Sequence, residues 1–417
     1  MSNSTVKDRL KKTKTMSKLV KICVFLACYA IYPFSFLFPR SRNRWAFGSF
    51  RGSFNDNAKY LFIYCCEQRG KQRCVWLSKS KATVSFVRSK GLPAYHIASP
   101  KGIWTALTSK YWFFNAYTSD ILHCLSGGAV CVNLWHGVGL KRAEFNITTG
   151  KLAERYQQKK FTERFFHPET FRRPDWLLTS TPFQTAMFAS AFRIPVDRCL
   201  ELGYPRNSIL LCNETERRQH IEAYENETTQ KLIAALQKEH YSEVYLYMPT
   251  WRDSQLDAFT QHLDLNRLDT LMQKKNALLL LKPHVNVKIN PLQFAQMHNV
   301  RIVDGNTDIY PVMPYTTVLI TDYSSVLYDY ILMDGKGVIL YLYDYEEYVR
   351  DRDFYYPFDE NVVGAKVYDF EALYHCMETG DHLLADSDRQ PIVDRFWGDT
   401  AHFNACQMLM ERFGLHP

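Results

Sequence analysis

Polar and titratable side chains stand directly after several apolar runs of this 417-residue sequence, or at the junctions between runs. They occur in five stretches: His136 and Gly137 in NLWHG, Arg206 in GYPRNS, Thr250, Trp251 and Arg252 in MPTWRD, Lys282 and His284 in LKPH, and Asp322, Ser324 and Ser325 in ITDYSS. Imidazoles exchange protons near neutral pH, and guanidinium, ammonium and hydroxyl groups bind phosphate oxygens. These residue types indicate proton transfer beside a bound phosphate group.

Each stretch also has a purely structural explanation. A histidine after a strand is commonly a hydrogen-bonded structural residue, and GYPRN and KPH are typical of tight turns. DYSS could cap a helix, and PTWRD could combine a cap with a surface ion pair. Asp329, about one helical turn further on, could point along a cleft or into solvent. It is the joint occurrence of these stretches that favours a site.

The ITDYSS stretch predicts a phosphate site at a helix start. Serine hydroxyls and the N–H groups of a helix N-terminus bind anions, and the helix dipole adds about half a positive charge there. Arg206, Arg252 and Lys282 could supply further positive charge. A phosphate site of this kind needs no glycine-rich loop.

Other nucleotide and metal motifs are missing from the sequence. It contains no GxxxxGKS/T motif and no GxGxxG after a strand, which argues against a Walker-type NTPase and a dinucleotide dehydrogenase. The DxD-spaced carboxylates at Asp351 and Asp386 follow no strand directly, and we interpret them as surface loops. The eleven cysteines lack zinc spacing and are expected to be buried thiols in a reducing compartment. We predict no metal ligands and no required cofactor, with a divalent metal left open.

Short apolar runs alternate with helix-length stretches along the chain. Ten runs are typical of strands: RWAFGSF, RCVWLS, YWFFNA, AVCVNLWH, DWLLTS, EVYLYMPT, ALLLLKPH, VRIVD, TVLITD and GVILYLYD. One helix is predicted with Asp56 as its N-cap and Gly70 just past its end, a second from Pro182 onwards, and a third over 263–275. Near-continuous apolar strands separated by helices are typical of parallel sheets covered on both faces.

The two halves of this pattern predict two doubly wound, Rossmann-like α/β domains of the GT-B type, with a cleft between them. We assign residues 1–43 to a basic tail and membrane-associating segment, 44–202 to an N-terminal α/β domain, and 203–417 to a C-terminal α/β domain with terminal helices. Ligands of such sheets bind at the carboxyl ends of the strands, where the polar stretches are predicted to lie.

Basic residues flank an apolar run near the N-terminus. Seven lysines and arginines between positions 7 and 21 precede the uncharged run 22–38, which Pro33 interrupts, and Arg40, Arg42 and Arg44 follow. A signal peptide would need a small-residue cleavage site that YPFSFLFPR lacks, and the run is at the lower limit of a span, about 17–25 residues. Basic flanks on both sides favour an interfacial or re-entrant anchor on an anionic leaflet over a true span.

The net charge of +8 suits an anionic partner. A nucleic-acid partner is not indicated, because the charge is spread along the chain and no basic-aromatic motif occurs.

These motifs resemble those of the CDP-glycerol:poly(glycerol phosphate) glycerophosphotransferases, the family of teichoic acid polymerases and primases and related capsule enzymes. WHGVGLKR is similar to the family's WHGTPLK motif, and GYPRNS, YMPTWRD, LLKPH and ITDYSSVLYDY follow in the family's order. FGSFRGSFNDNAKYLF is similar to its first block, so the resemblance runs from about Trp45 to about Gly364. Val138-Gly139 stands where the family commonly has Thr-Pro.

The resemblance implies transfer of glycerol phosphate from CDP-glycerol to a hydroxyl of a membrane-linked, capsular or teichoic-acid-type glycopolymer, with release of CMP. The family's two essential histidines correspond to His136 and His284. Its motif serines and aspartate, near pyrophosphate and glycerol, correspond to Ser324, Ser325 and Asp329. Neighbouring substrate-binding positions correspond to Gly137, Arg206, Thr250, Trp251, Arg252, Lys282 and Asp322. The first domain would face the acceptor and the second the CDP donor, at the cytoplasmic face of the bacterial membrane, since the donor is made inside the cell.

The expected mechanism uses His136 as the base for the acceptor hydroxyl. His284, with Lys282, would stabilise the CMP leaving group or the charge on the phosphoryl oxygens, and the two histidine roles could be exchanged. CDP-ribitol phosphotransfer and nucleotide-sugar transfer by a GT-B enzyme are alternatives. A non-enzymatic scaffold of polysaccharide assembly is a third.

Overall fold

The computed structural model of the protein describes residues 22–23, 25–69, 73–157, 161–250, 261–283, 294–305, 307–351 and 354–414. Within these ranges, thirteen strands form two sheets in which every pair of neighbouring strands is parallel. The predicted α/β architecture with two parallel sheets is therefore confirmed.

The first sheet has the order β3-β2-β1-β4-β5-β6-β7 and the second has the order β10-β9-β8-β11-β12-β13. The strands are β1 (Ser41–Phe47), β2 (Cys74–Ser78), β3 (Ala94–His96), β4 (Ser109–Phe114), β5 (Val130–Asn133), β6 (Trp176–Thr179), β7 (Cys199–Glu201), β8 (Glu243–Tyr247), β9 (Ala277–Leu281), β10 (Val300–Ile302), β11 (Val318–Thr321), β12 (Gly337–Tyr341) and β13 (Ala365–Val367). In each sheet the strand order reverses once, between β1 and β4 and between β8 and β11. Doubly wound sheets bind ligands at this reversal.

Helices cover both faces of the sheets. They are α1 (22–23 and 25–34), α2 (Asp56–Arg69), α3 (Lys81–Ser89), α4 (Pro100–Thr108), α5 (Gly150–Tyr156), α6 (Phe161–Phe166), α7 (Pro168–Phe171), α8 (Pro182–Phe192), α9 (Ser208–Leu211), α10 (Glu214–Tyr224), α11 (Glu227–Lys238), α12 (Leu265–Lys274), α13 (Val326–Tyr330), α14 (Tyr345–Asp351), α15 (Phe370–Thr379), α16 (Asp386–Phe396) and α17 (Ala405–Arg412). Among the helices of the described ranges, none combines the length and apolarity needed to cross a membrane.

All ten predicted strands are present, and three further strands were not predicted. These are β3, β7 and β13, each three residues long and each at the edge of a sheet. Short edge strands carry too few residues for a recognisable apolar run.

The central strand β9 illustrates why continuous apolar runs form these sheets. All five of its residues are buried, with Leu278 and Leu280 in one hydrophobic core and Leu279 and Leu281 in another. Burying each leucine side chain contributes about 1.5–3 kcal/mol. A polar residue on either face would leave one of the two cores incomplete.

Two predicted helix starts have different outcomes. Thr181 accepts a hydrogen bond from the N–H of Gln184 and caps α8, which begins with Pro182 as predicted. Asp56 does not act as the expected cap of α2. The Ala58 N–H bonds instead to Asn115 Oδ1 at 2.9 Å, whereas Asp56 Oδ1 accepts the N–H of Asn57 at 2.8 Å and pairs with Arg206.

The end of the chain returns to the first sheet. Phe413 packs against rings from three strands of that sheet, at centroid distances of 6.4 Å to Trp45, 5.2 Å to Tyr111 and 6.3 Å to Trp176. The last residues therefore complete the core of the first sheet, although they follow the second sheet in sequence.

A buried cluster of charges joins the two halves. Lys59 on α2 is 1% exposed, and its Nζ lies 2.5 Å from Glu225 Oε1 and 2.8 Å from Asp308 Oδ2. Tyr60 donates a hydrogen bond to the same Asp308 oxygen at 3.0 Å. Although burial alone would lower the Lys59 pKa, the two carboxylates raise it, so the ammonium stays charged.

Replacing this cation tests its contribution. Lys59→Met leaves Glu225 and Asp308 buried without their cation, so we expect the free energy of unfolding to fall by about 3–5 kcal/mol, measured by denaturant titration. The matched control is Lys231→Met, since Lys231 pairs with Glu227 on the surface and exposed pairs contribute little. Equal stability of Lys59→Met and the unchanged protein would contradict this role.

Candidate active site

The loop after β5 bends sharply and presents His136. Trp135 has a φ of 53° and Gly137 a φ of 133°. The N–H of Trp135 donates to Asn133 Oδ1 at 2.8 Å, which holds the bend from the strand end. A bulky residue with positive φ costs about 1–3 kcal/mol and is found mainly at functional sites.

Asn57, near the start of α2, fastens this bend to the junction between the two halves. Its Nδ2 donates to the carbonyls of Leu134 at 3.2 Å and Trp135 at 2.9 Å. Its Oδ1 accepts a hydrogen bond from the Arg206 N–H at 3.2 Å. Because the side chain is fully buried, these bonds fix the relative positions of the three segments.

Arg206 is held between two carboxylates that come from opposite halves of the chain. Its Nη1 lies 2.7 Å from Asp56 Oδ1, and its Nη2 lies 2.7 Å from Asp329 Oδ2. Tyr310 also donates to that Asp329 oxygen, at 2.8 Å. The structure therefore brings the predicted residues Arg206 and Asp329 into direct contact.

Gly137 lies against the same guanidinium. A Cβ at this position would be 2.7 Å from Arg206 Nη2 and 3.5 Å from Ser325 Oγ. A side chain here would displace Arg206, so glycine is required for space as well as for its positive φ. The contact also places the His136 bend, Arg206 and Ser325 together.

The His136 imidazole is exposed in the cleft and titrates below its usual range. The surrounding protein lowers its pKa, and Arg206 acts in the same direction. The Asp56 carboxylate and a hydrogen bond to the backbone of Asn115 oppose this shift. The ring is therefore neutral at pH 7, as a proton acceptor must be.

Two strand ends of the second sheet are joined where its order reverses. Asp322, after β11, accepts hydrogen bonds from the N–H of Thr250 at 2.8 Å and from its hydroxyl at 2.6 Å. It also accepts one from the N–H of Tyr323 at 2.6 Å. These contacts indicate that Asp322 positions Thr250, which follows β8.

Ser324 and Ser325 lie at the start of α13 but do not cap it. Ser325 occupies the N-cap position with helical backbone angles and makes no side-chain capping bond. Among the hydrogen bonds of the described residues, none involves either hydroxyl. Since α13 has only five residues, few peptide dipoles are aligned at this helix start.

Lys282 follows β9 and is 8% exposed, and its Nζ donates to the Gly305 carbonyl at 2.7 Å. Burial lowers its pKa to about 8, against the influence of Asp304 and Asp308.

Asp329 and Arg206 each keep one enclosed atom without a partner. These atoms are Asp329 Oδ1 and Arg206 Nε. Burial raises the pKa of Asp329, while Arg206 and Tyr310 oppose the rise. An acceptor and a donor left unpaired in one place mark a strained or ligand-binding region.

Three predicted site residues, Trp251, Arg252 and His284, lie outside the described residues. The catalytic role of His284 beside that of His136 therefore stays a prediction. Two contributors were not predicted as site residues: Asp56, interpreted as a helix cap, and Tyr310. The polar run NDNA before the helix was the only available signal for Asp56.

Comparisons with known proteins show the family to which these motifs belong. The family model described as CDP-Glycerol:Poly(glycerophosphate) glycerophosphotransferase matches residues 30–398. The teichoic acid glycerol-phosphate transferase of Staphylococcus aureus (strain NCTC 8325 / PS 47) is 28% identical over 354 residues, which cover 82% of this chain and 85% of that protein. The teichoic acid ribitol-phosphate polymerase TarL of the same strain is 29% identical over 60% of this chain, which matches only 42% of the polymerase.

The fold is also that of a solved structure. The wall teichoic acid polymerase TagF superposes with a TM-score of 0.70 at 21% identity, covering 99% of this chain and 98% of that chain.

The pH dependence of stability tests the contact between Arg206 and Asp329. An aspartate titrates near about 3.9 in an unfolded chain, and burial raises the folded value for Asp329. Protonated Asp329 therefore makes its full contribution to the free energy of unfolding below about pH 3.9. That contribution is lost as the pH rises through the folded pKa. Arg206→Met removes the cation, so we expect a steeper fall of the unfolding midpoint with pH, measured by denaturant titration.

The double variant Arg206→Met/Asp329→Asn is the control, because it has no carboxyl to titrate. It should lose the added pH dependence. If the single and double variants showed the same pH dependence of the unfolding midpoint, Asp329 would not be the source of that dependence.

Proposed function

Because this chain belongs to the CDP-glycerol:poly(glycerophosphate) glycerophosphotransferase family, we propose that it transfers glycerol phosphate from CDP-glycerol to a hydroxyl of a teichoic-acid-type polymer and releases CMP. The observation that carries the proposal is the meeting of the His136 bend, Arg206 and Ser325 around Gly137. This place combines a proton acceptor, His136, with the cation of Arg206 and the hydroxyl of Ser325. Such a combination suits attack of a hydroxyl on a phosphate group. These residues follow strands of the two sheets, and doubly wound sheets bind ligands beyond the carboxyl ends of their strands.

The donor is assigned to the second sheet. Ser324, Ser325 and Lys282 would bind the pyrophosphate, and Arg206 would contact its oxygens. Asp329, with Oδ1 unpaired, would accept a hydrogen bond from a polyol hydroxyl. Cations near the transferred group stabilise the charge that develops on its oxygens.

The acceptor is assigned to the side of the first sheet. His136 would take the proton of the attacking hydroxyl as the oxygen approaches the β-phosphorus, and the bond to the CMP oxygen would break. His284 would stabilise the leaving group, or the two histidines would exchange these roles.

Transfer from CDP-ribitol is the second candidate function. It is supported by the ribitol-phosphate polymerase TarL at 29% identity and by the teichoic acid ribitol-phosphate primase of Bacillus spizizenii (strain ATCC 23059 / NRRL B-14472 / W23) at 30% identity over 62% of this chain. Both donors present a CDP group and a polyol.

Release of CMP tests the function directly. Purified protein with a lipid-linked glycerol-phosphate acceptor should release CMP from CDP-glycerol and more slowly from CDP-ribitol, measured by chromatography. Faster release from CDP-ribitol would transfer the proposal to the second function. Absence of release from both would overturn it.

His136→Ala and His284→Ala should each abolish this release, because each removes a group needed at the phosphate. Circular dichroism should show that both variants remain folded. The control is His375→Ala, on α15 of the second half, which should keep full activity. A variant with near-normal kcat would remove that histidine from the mechanism.

We propose that the protein also lies on an anionic membrane surface. α1 packs on α6, with Tyr29 stacked on Phe165 at 5.2 Å. These two helices and the turn after α1 expose several large apolar side chains, including Leu37 at 76% and Phe161 at 81%. Such a surface is typical of an interfacial segment.

Arg40 attaches the segment after α1 to the first half of the chain. Its guanidinium donates to the carbonyls of Ala106 at 2.8 Å and Ser109 at 2.7 Å. This attachment supports docking of α1 beside the domain rather than a separate membrane span.

Sedimentation with vesicles tests the membrane proposal. Binding to phosphatidylglycerol vesicles should exceed binding to phosphatidylcholine vesicles, because basic residues flank the apolar run. The double variant Phe34→Asp/Leu37→Asp should lose most binding. Leu383→Asp, at a 75% exposed leucine of the second half, is the control. Unchanged binding of the double variant would contradict the proposal.

A further inference from the structure

We propose that Asp56 is a positioning residue of the transfer reaction: it holds Arg206 against the bend that carries His136 and places a carboxylate beside that imidazole. This role rests on the proposed function and deepens it. None of the five chemical stretches of the sequence contains Asp56.

Contacts on both sides of Arg206 support this role. The guanidinium is bound by Asp56 and by Asp329 at 2.7 Å each, and it leaves room only for a glycine at position 137. Asp329 belongs to the second half of the chain, whereas Asp56 and Gly137 belong to the first. Without Asp56, Arg206 would keep Asp329, on the donor side, as its only carboxylate partner among the described residues.

The backbone of Asp56 indicates that its carboxylate is needed where it is. Its φ is 62°, in the left-handed region, which costs a residue with a side chain about 1–3 kcal/mol. A capping bond to Ala58 does not explain this conformation, because Asn115 satisfies that N–H. The same Asp56 oxygen that binds Arg206 also accepts the Asn57 N–H at 2.8 Å. The next residue, Asn57, is bound to the Trp135 carbonyl, so the position of Asp56 relative to His136 is fixed.

The charged and titratable groups around His136 come from four segments. Asp56 stands at the start of α2, Arg206 in the turn Pro205–Asn207, and Asp329 with Tyr310 behind Arg206. Tyr204 donates to the Gly137 carbonyl at 3.2 Å. The surrounding protein and Arg206 both disfavour a protonated imidazole, and Asp56 is the carboxylate that opposes them. It thereby keeps the base strong enough to accept a proton.

The test is Asp56→Asn, which removes the charge and suits a positive φ. The midpoint of the His136 imidazole titration, followed by NMR and assigned with His136→Gln, should move to lower pH by about one unit. The acidic limb of kcat/KM should shift in the same direction. kcat/KM at its optimum should fall about 10- to 100-fold, since Arg206 is misplaced.

Glu67→Gln is the matched control. It removes a carboxylate from the same helix, where Glu67 accepts the Tyr224 hydroxyl at 2.7 Å, and should leave the titration unchanged. Asp56→Gly also suits the positive φ and replaces Asp56→Asn if that variant folds poorly. The same shift of the His136 titration midpoint is expected for it.

An unchanged His136 midpoint in a folded Asp56 variant would overturn the role, even if turnover fell. The NMR titration needs no substrate. Failure of CDP-glycerol turnover would therefore overturn the proposed function alone, and failure of the titration shift would overturn the role of Asp56 alone.

Discussion

The arrangement of the cleft depends on one buried cation shared by two carboxylates. Arg206 contacts Asp56 from the first half and Asp329 from the second. A buried ion must keep its partners at close distance, because losing one leaves an uncompensated charge. Both halves are therefore held to one geometry where the strand ends meet. The absence of a side chain at Gly137 follows from the space that the guanidinium occupies.

Much of the fold could be predicted from the sequence, because buried parallel strands are continuous apolar runs. ALLLL, VLIT and GVILY, for example, are buried throughout. The three strands that were not predicted, such as Ala94–His96, pair on one side only. Their conformation is set by a neighbouring strand, which local sequence does not reveal.

The sequence indicated His136, Arg206 and Asp329 as candidate site residues, and the structure places Arg206 against Asp329 and against the bend that carries His136. Contacts between segments that are distant in the sequence could not be predicted. Asp56 was expected to cap its own helix, yet its partner lies 150 residues away in the chain. The substrate-binding role of Asp322 stays a prediction, and its hydrogen bonds to Thr250 and Tyr323 were not predicted. Short-range patterns identify which residues are polar at a strand end. They do not indicate which of them satisfy one another.

The return of Phe413 to the first sheet makes that half of the protein discontinuous in sequence. During synthesis, domains generally fold in the order in which they emerge, but here the rings of Trp45, Tyr111 and Trp176 lack their last partner until residue 413 leaves the ribosome. An apolar surface of the first half thus stays uncovered while the whole second half is made. Isolating either half by cutting between them would separate the first sheet from the segment that closes it.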